Sequence, residues 1–438
     1  MKTKSITLTG DQDKANNAFL DFLVSDENFF VIQGAAGTGK SFLIRHLLET
    51  FHAKYSAYCL FLQKEVKRFD IRVTATTNKA VTVIDDFLAG APHLHDDPKT
   101  IYSLLGLRVA NNTSTGKTSL TYTENPYNRN VFSPREGVLP LVFVDEASFI
   151  NTELHEIIDT ILRKDTNAKI VYIGDKYQLS PIDQAYSIMD SMKCSKVSLN
   201  EIVRNSGNIL KVGTQFRKTV ETGIFLPIPF NSSDVVHADG SEFKRLVEQS
   251  FGAPNWNPTK SKILAWTNER VQEYNQHIRT FLRRPKMFDI GEVVITNEFI
   301  KGSSFNRSVD SEVKITNIEP NLQTFYDVRG YMIELDHSHV GFMPERFQDA
   351  KNLLKKLAAN KDWKKFFEVK ETWLDLRAVY ASSVHKSQGS TYETVFIDLA
   401  DIGKNWNSTD VARLLYVSIT RASKQVVCYG YLPDRYGK

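Results

Sequence analysis

The sequence predicts an α/β fold, with parallel sheets flanked by helices in two domains and a β-rich insertion interrupting the second. Three observations predict it. Short apolar runs alternate with amphipathic stretches through the first half of the chain, the pattern of βαβ units whose sheet is buried on both faces. The alternation breaks at Pro285, gives way to short strands at hairpin spacing over 288–344, and resumes after about 374. The first apolar run also ends in a glycine-rich turn that leads directly into a helix-forming stretch.

Composition sets the bounds. The 438 residues suffice for two to four domains, at roughly 100–200 residues each. With 42% hydrophobic and 24% charged residues, a disordered or fibrous chain is excluded. No apolar run approaches the ~18–20 residues of a membrane span, and the polar start MKTKSITLTGDQDK has no signal-peptide core, so a soluble intracellular protein is expected. Cys59, Cys194 and Cys428 are too far apart for a CxxC metal site or a disulfide framework, which suits a reducing compartment. A net charge of +4 permits a nucleic-acid partner without requiring one.

The elements follow in order. FFVIQG (29–34) reads as a buried strand and SFLIRHLLETF (41–51) as a helix; RVTATT (72–77) is a strand, and NKAVTVIDDFL (78–88) a helix. LPLVFVDE (139–146) and AKIVYIGD (168–175) are strands around the helical TELHEIIDTILRK (152–164). Residues 107–138, rich in Asn, Thr and Ser, read as an inserted hairpin, with a plain surface loop as the alternative. From 193 a second domain is expected: KVSLNEIVR, a helix NILKVGTQFRKTVETG, the strand KILAWT (262–267) and the helix 268–284. Residues 288–344 suggest a small β-barrel. The basic stretch 351–373 reads as helix, either facing nucleic acid or simply solvated. The expected domains are therefore 1–106 with 139–192, a 107–138 insertion, 193–287 with 374–438, and a 288–373 insertion.

Gly34-Ala35-Ala36-Gly37-Thr38-Gly39-Lys40-Ser41 matches GxxxxGK[ST] between a strand and a helix. Glycines let backbone N–H groups turn inward on phosphate oxygens, and the helix start adds its own unpaired N–H groups. Lys40 reaches the β/γ oxygens and Ser41 ligates Mg²⁺. Asp145 and Glu146 end an apolar strand, where side chains face the ligand crevice of a parallel sheet. Asp145 is the expected second magnesium-binding carboxylate, and Glu146 the group that orients or deprotonates the attacking water. Gln178 follows another strand end and is placed to sense the γ-phosphate, while Arg204 and Arg421 are candidate guanidiniums for the transition-state charge. These residues imply an ATP or GTP hydrolase.

The ordered motifs resemble the superfamily-1 DNA helicases of the RecD/Pif subgroup, and within it the Dda-type enzymes of T-even bacteriophages. LTGDQ resembles the Q motif, GAAGTGKS motif I, ATTNKA motif Ia, TIYSL motif Ib, VDEAS motif II, GDKYQLSPI motif III, LNEIVR motif IV, SVHKSQGS motif V and LYVSITRA motif VI. The resemblance implies two RecA-like domains, an SH3-like barrel insertion and a pin in the first insertion. Gln12 would read adenine, Gly389 would join the nucleotide contacts, and ATP with Mg²⁺ would be used. DNA would be held by Thr77 and Asn78 from one domain, and by Thr267, Asn268, Ser383, His385 and Lys386 from the other. Single-stranded and forked DNA, phage replication proteins, 5′-to-3′ movement and a monomer are implied; no membrane partner is. Two alternatives stay open from the residues alone: an ATPase that remodels nucleic-acid complexes without unwinding, and a binding module with a vestigial nucleotide site.

Overall fold

The computed structural model describes residues 8–436 except 95, 112–117, 123–136, 165, 181–186, 204–206, 231–232, 286, 302–305 and 308. The chain divides into two compact units, one of residues 1–107, 122–228 and 407–423, the other of 108–121, 229–406 and 424–438.

The first unit begins with β1 (Phe29–Gly34), β2 (Arg68–Ala75) and β3 (Lys99–Thr100); β4 (Leu107–Asn111) and β5 (Thr118–Tyr122) form a separate two-stranded pair whose residues 108–121 group with the other unit. Then come β6 (Val138–Asp145), β7 (Lys169–Gly174) and β8 (Ser195–Leu199). The sheet runs β3-β2-β6-β7-β1-β8 with every pair parallel. Register sets Ala75 opposite Asp145 and Gln33 opposite Gly174, so the strands that carry the motifs end along one edge. Both faces are covered, as near-continuous apolar strands require. Phe19, Leu47, Phe51 and Phe143 pack one face, and Ile101, Leu154, Leu162 and Tyr172 the other.

Local sequence explains the helix boundaries. Thr9 and Gln12 form a reciprocal capping box that starts the helix Gly10–Val24. The helix Lys40–Phe61 runs past the expected 51 because Tyr55 and Cys59 continue its buried stripe. The expected 152–164 helix changes hand-hold partway, from α-helix Thr152–Ile158 to a π-helical turn Asp159–Lys164 that buries Ile161 and Leu162.

The expected boundary at 193 is corrected by strand pairing. β8 lies parallel to β1, from Phe30 opposite Ser195 to Gly34 opposite Leu199, and so completes the first sheet. The helices Gly207–Thr222 and Ser408–Thr420 also group with the first unit rather than the second. Val411 to Thr420 are all buried, Arg413 and Tyr416 among them. At its contact with the 207–222 helix, a Cβ on Gly213 would stand 3.3 Å from Thr420 Cγ2. The hairpin expected over 107–138 meets β4 and β5; residues 112–117 and 123–136, where the rest of the expected pin falls, lie outside the described residues.

The second unit contains β9 (Val235–Ala238), β10 (Ser261–Ala265), β11 (Val293–Thr296), β12 (Ile300–Lys301), β13 (Asn306–Arg307), β14 (Glu312–Ile318) and β15 (Gln323–Phe325). These are followed by β16 (Val328–Leu335), β17 (His339–Pro344), β18 (Leu376–Ala378), β19 (Ala381–Ser383), β20 (Tyr392–Asp398) and β21 (Ala422–Tyr429). One sheet runs β19-β10-β20-β21-β9, with β10 parallel to both β19 and β20, and β21 parallel to β9. The insertion is an antiparallel half-barrel, β15-β16-β14-β11-β18 with β17 on β16. Its sheet reaches past the expected limit of 373, because Leu376–Ala378 pairs with β11. The basic stretch forms two helices, Phe347–Ala359 and Trp363–Thr372. Among the described residues no helix is long and apolar enough to cross a membrane.

Arg279 fastens the insertion to its parent sheet. It is 5% exposed, pairs with the equally buried Glu292, donates to Pro285 O and Met287 O at 2.7 Å, and lies over the Phe288 ring. Arg279→Leu strands the Glu292 carboxylate and should cost about 3–5 kcal/mol in denaturant unfolding. A variant as stable as the parent would show that the pair is dispensable.

Candidate functional site

The carboxyl edge of the first sheet gathers the phosphate-site candidates. Gly37 and Gly39 adopt left-handed conformations, φ 83° and 78°, which turn the backbone around the loop. A Cβ on Gly39 would lie 2.6 Å from Gln12 Nε2, so a side chain is refused there on two counts. Thr38 Oγ1 closes the turn on Ala35 O at 2.9 Å, and Val203 N donates to Gly37 O at 2.8 Å. Lys40 Nζ lies against Gly34 O, at 3.0 Å, and Ala35 O, at 3.4 Å. Ser41 stands in the first turn of the following helix.

Gln12 is more deeply engaged than an adenine reader needs to be. Its carboxamide oxygen accepts from Thr9 N at 3.1 Å, and its Nε2 donates to Thr38 O at 3.0 Å in a buried position. The side chain therefore braces the phosphate loop against the first helix.

Asp145 ends β6 with 8% of its surface exposed, and its Oδ1 accepts from Glu146 N at 2.9 Å. Burial, reinforced by the neighbouring Glu146 charge and opposed by Lys40, pushes its carboxyl up to about 7. Glu146 is held in a left-handed conformation, φ 50°, and its carbonyl accepts from Thr76 Oγ1 at 3.0 Å. Glu146 Oε2 and Ser148 Oγ are buried with no hydrogen-bond partner among the described residues. Orphaned oxygens beside a raised carboxyl and one lysine form a donor set suited to a hard divalent cation and a water.

Asp175, which sequence reasoning passed over, is the hub of the next strand end. Its Oδ1 accepts from Tyr177 N at 3.0 Å, and its Oδ2 accepts from Gln178 Nε2 at 3.3 Å and from Tyr416 OH at 2.6 Å. Tyr416 OH in turn accepts from Ala36 N of the phosphate loop at 2.9 Å. Burial and the Asp175 charge raise the Tyr416 phenol well above its ordinary value, so it stays a donor to Asp175. Three residues away on the same helix face, Arg413 donates to Lys176 O at 3.1 Å, Gln178 O at 2.5 Å and Ser180 Oγ at 2.8 Å. Neither residue was singled out by the motifs. The available signal was one cation and one phenol, three positions apart, in the mostly apolar run 411–419.

Arg421, 3% exposed, caps that helix and donates to Val417 O at 3.3 Å and Thr420 Oγ1 at 3.4 Å. Arg204 lies outside the described residues. Gly389 belongs to the second unit with φ 81°.

The candidate strand-gripping residues divide between the units. Thr77 and Asn78 are exposed at the start of the helix Asn78–Leu88, which Thr77 caps through Ala80 N at 3.2 Å. In the second unit, Thr267 caps the helix Asn268–Phe281 and donates to Asp401 Oδ1 at 2.8 Å; Asn268 is exposed beside it. Ser383 caps the short helix Val384–Ser387, and His385 is exposed on it. Lys386 differs from the expected free cation. Its Nζ bridges Asp310, at 2.7 Å, and Asn297 Oδ1, at 2.9 Å, so its charge is matched by the half-barrel.

The chain matches known families and relatives along most of its length. Residues 7–219 match the family described as an AAA domain, and residues 378–429 match the UvrD-like helicase C-terminal domain. The ATP-dependent DNA helicase dda of Enterobacteria phage T4 is 22% identical, covering 96% of this chain and 98% of its own. The ATP-dependent DNA helicase Pif1 of Bdellovibrio bacteriovorus is 22% identical, over 92% of this chain and 84% of its own. Among solved structures, Pif1 helicase from Bacteroides with ADP-AlF3 and single-stranded DNA superposes with a TM-score of 0.53 at 15% identity, over 98% of this chain and 94% of that one.

The raised Asp145 carboxyl has a measurable consequence. The folded chain holds this proton up to about pH 7, whereas the ordinary value is 3.8. The folded state therefore binds more protons across that window, and its stability falls as pH rises through it. Asp145→Asn removes the titration. Without nucleotide, the variant should unfold at higher urea than the parent at pH 8, by ~2–4 kcal/mol, and at similar urea at pH 4. An equal gap at both pH values would contradict the shift.

Proposed function

We propose how this chain, which belongs to the Pif1-like superfamily-1 helicases and is an ATP-dependent DNA helicase, assigns the chemistry to its residues. The observation that carries the proposal is the alignment of the phosphate loop, the Asp145–Glu146 strand end and the Asp175–Gln178 strand end along one sheet edge, joined by Tyr416. Loop N–H groups and Lys40 take the triphosphate, and Gln178 answers to its terminal phosphate. Ser41 and Asp145 are the residues for Mg²⁺, which neutralises phosphate charge when bound. Glu146, with an unpaired carboxylate oxygen, orients the attacking water and receives its proton. Arg421 and Arg204 supply positive charge to the transferred group.

Movement requires a grip that changes with the nucleotide. Thr77 and Asn78 hold backbone phosphate and sugar from the first unit; Thr267, Asn268, Ser383 and His385 do so from the second, with Lys386 positioned through Asp310. Such contacts ignore sequence, as a motor on single-stranded DNA must. Differential affinity of the nucleotide-bound and nucleotide-free states for the strand converts hydrolysis into translocation. We assign 5′-to-3′ polarity, separation of forked duplexes, action as a monomer inside the cell, and collaboration with phage replication proteins.

Lys40→Ala should lower ATP turnover at least 10²-fold, and Arg421→Ala should lower kcat by roughly 10³-fold while nucleotide still binds. Both are read by steady-state hydrolysis with fluorescent-nucleotide titration. On tailed duplexes, ATP-dependent displacement should require a 5′ single-stranded tail; displacement confined to 3′-tailed duplexes would reverse the assigned polarity.

A further inference from the structure

The carboxyl end of the second unit's parallel sheet carries two aromatic side chains that the assigned chemistry does not use. Trp406 is 82% exposed and Tyr431 is 71% exposed. Leaving so much apolar ring in water is unfavourable, and each ring is nevertheless held in place from behind. The Arg435 guanidinium lies 4.0 Å from the Trp406 ring centre. It is itself fixed by donation to Gly403 O at 2.7 Å and Asn405 O at 3.4 Å. Tyr431 stacks on His237 at 4.4 Å with the planes 25° apart, and His237 Nε2 meets Gly430 O at 2.9 Å. Each ring thus has one backed face and one face open.

Two glycines bring the supporting loops together. A Cβ on Gly403 would lie 2.3 Å from Pro433 Cδ, and one on Gly430 would lie 3.0 Å from Ala400 Cβ. The segment after β20 therefore packs directly on the segment after β21. That first segment is also tied to a candidate strand contact. Asp401 accepts from Trp266 N and from Thr267 N and Oγ1, all at 2.8 Å, and from Lys404 Nζ at 2.9 Å. The chain then reaches Trp406 two residues later. Lys404 and Arg435 are the cations of these two loops, and Lys404 is exposed at its end while paired with Asp401.

Rigid aromatic faces beside two anchored cations, Arg435 and the Asp401-paired Lys404, at the same sheet end as Thr267, are the elements of a sequence-tolerant stacking platform. We propose that Trp406 and Tyr431 form a base-stacking ledge that extends the single-stranded DNA track of the second unit beyond Thr267, with Arg435 as the prop that holds the indole and Lys404 as a phosphate contact. This rests on the DNA reading above. It assigns the ledge to nucleobases, because an open π-face accepts every base.

The test uses the full chain, oligothymidylates of increasing length, and fluorescence anisotropy at fixed salt. Trp406→Ala should weaken binding by roughly ten- to a hundredfold for oligomers long enough to reach the ledge, and not for the shortest that bind. Trp406→Phe should keep most of the affinity but lose the quenching of tryptophan emission that saturating oligothymidylate causes in the parent. Tyr431→Ala should weaken binding in the same length-dependent way. If the parent binds and Trp406→Ala matches it at every length, or if Trp406→Phe retains the full quenching, the ledge is overturned and its rings are left for a protein partner. Failure of the parent to bind any oligothymidylate would instead overturn the DNA reading itself.

Discussion

The register of one parallel sheet governs what this chain can do. β1, β6 and β7 lie side by side and run the same way, so Gly34, Asp145 and Gly174 finish at one edge without any loop having to bring them there. A parallel arrangement covered on both faces leaves only that edge for polar chemistry. The phosphate loop, the acidic pair and the Asp175 turn are then three consecutive exits from a rigid layer. Packing holds the layer: Phe143 contacts Phe19 across one face with ring centres 5.7 Å apart, and Tyr172 packs on Phe29 across the other at 5.6 Å.

Electrostatics explains why such an edge is poised rather than merely stable. Asp145 is buried beside another carboxylate, with the Lys40 ammonium as the opposing charge. In a site of low effective dielectric, two adjacent carboxylates do not both ionise cheaply. A divalent cation would reverse that balance and draw Asp145 to its charged form. The left-handed backbone at Glu146 works in the same direction. It places that carboxylate where nothing in the described protein satisfies Oε2, and strain of this kind persists only when the neighbouring structure enforces it. Here Thr76 Oγ1 on the Glu146 carbonyl, and Asp145 on its N–H, do the enforcing.

Much of this could be read from the residues, and the exceptions have physical causes. The first-unit strands were legible because fully buried strands are continuous apolar runs, and the glycine spacing of 34–41 admits few other structures. β8 escapes a local reading because SKVSL is an edge strand with mixed burial. Its sheet is chosen by pairing with β1, which no periodicity encodes. Lys386 had the right residue type at the right position for phosphate, but ion pairing with Asp310, 76 positions earlier, is invisible to a local motif. Gln12 was recognised as important, while its part as a brace depended on where the Thr38 carbonyl points. Tyr416 and Arg413 were hidden by their own helix, since a polar atom in a buried apolar stretch reveals its partner only in three dimensions.

That helix is where the remaining step of synthesis lies. A single buried segment carries Arg413, which holds the 176–180 turn by its carbonyls, Tyr416, which joins Asp175 to the phosphate loop, and Arg421 at its end. The three are spaced by three and five residues, so a small rotation or slide of the helix changes all three contacts together. Tyr416 also occupies Ala36 N, a donor belonging to the loop that would cradle phosphate. A triphosphate taking the same N–H would displace the phenol or share its donor, and either change would be felt at Asp175 and through it at Gln178. On the proposed reading, occupancy of the loop and the disposition of the Gln178 amide would thereby be joined through one hydroxyl. The raised phenol pKa suits this arrangement, because a neutral hydroxyl can accept from Ala36 and donate to Asp175 at once, whereas a phenolate could only accept.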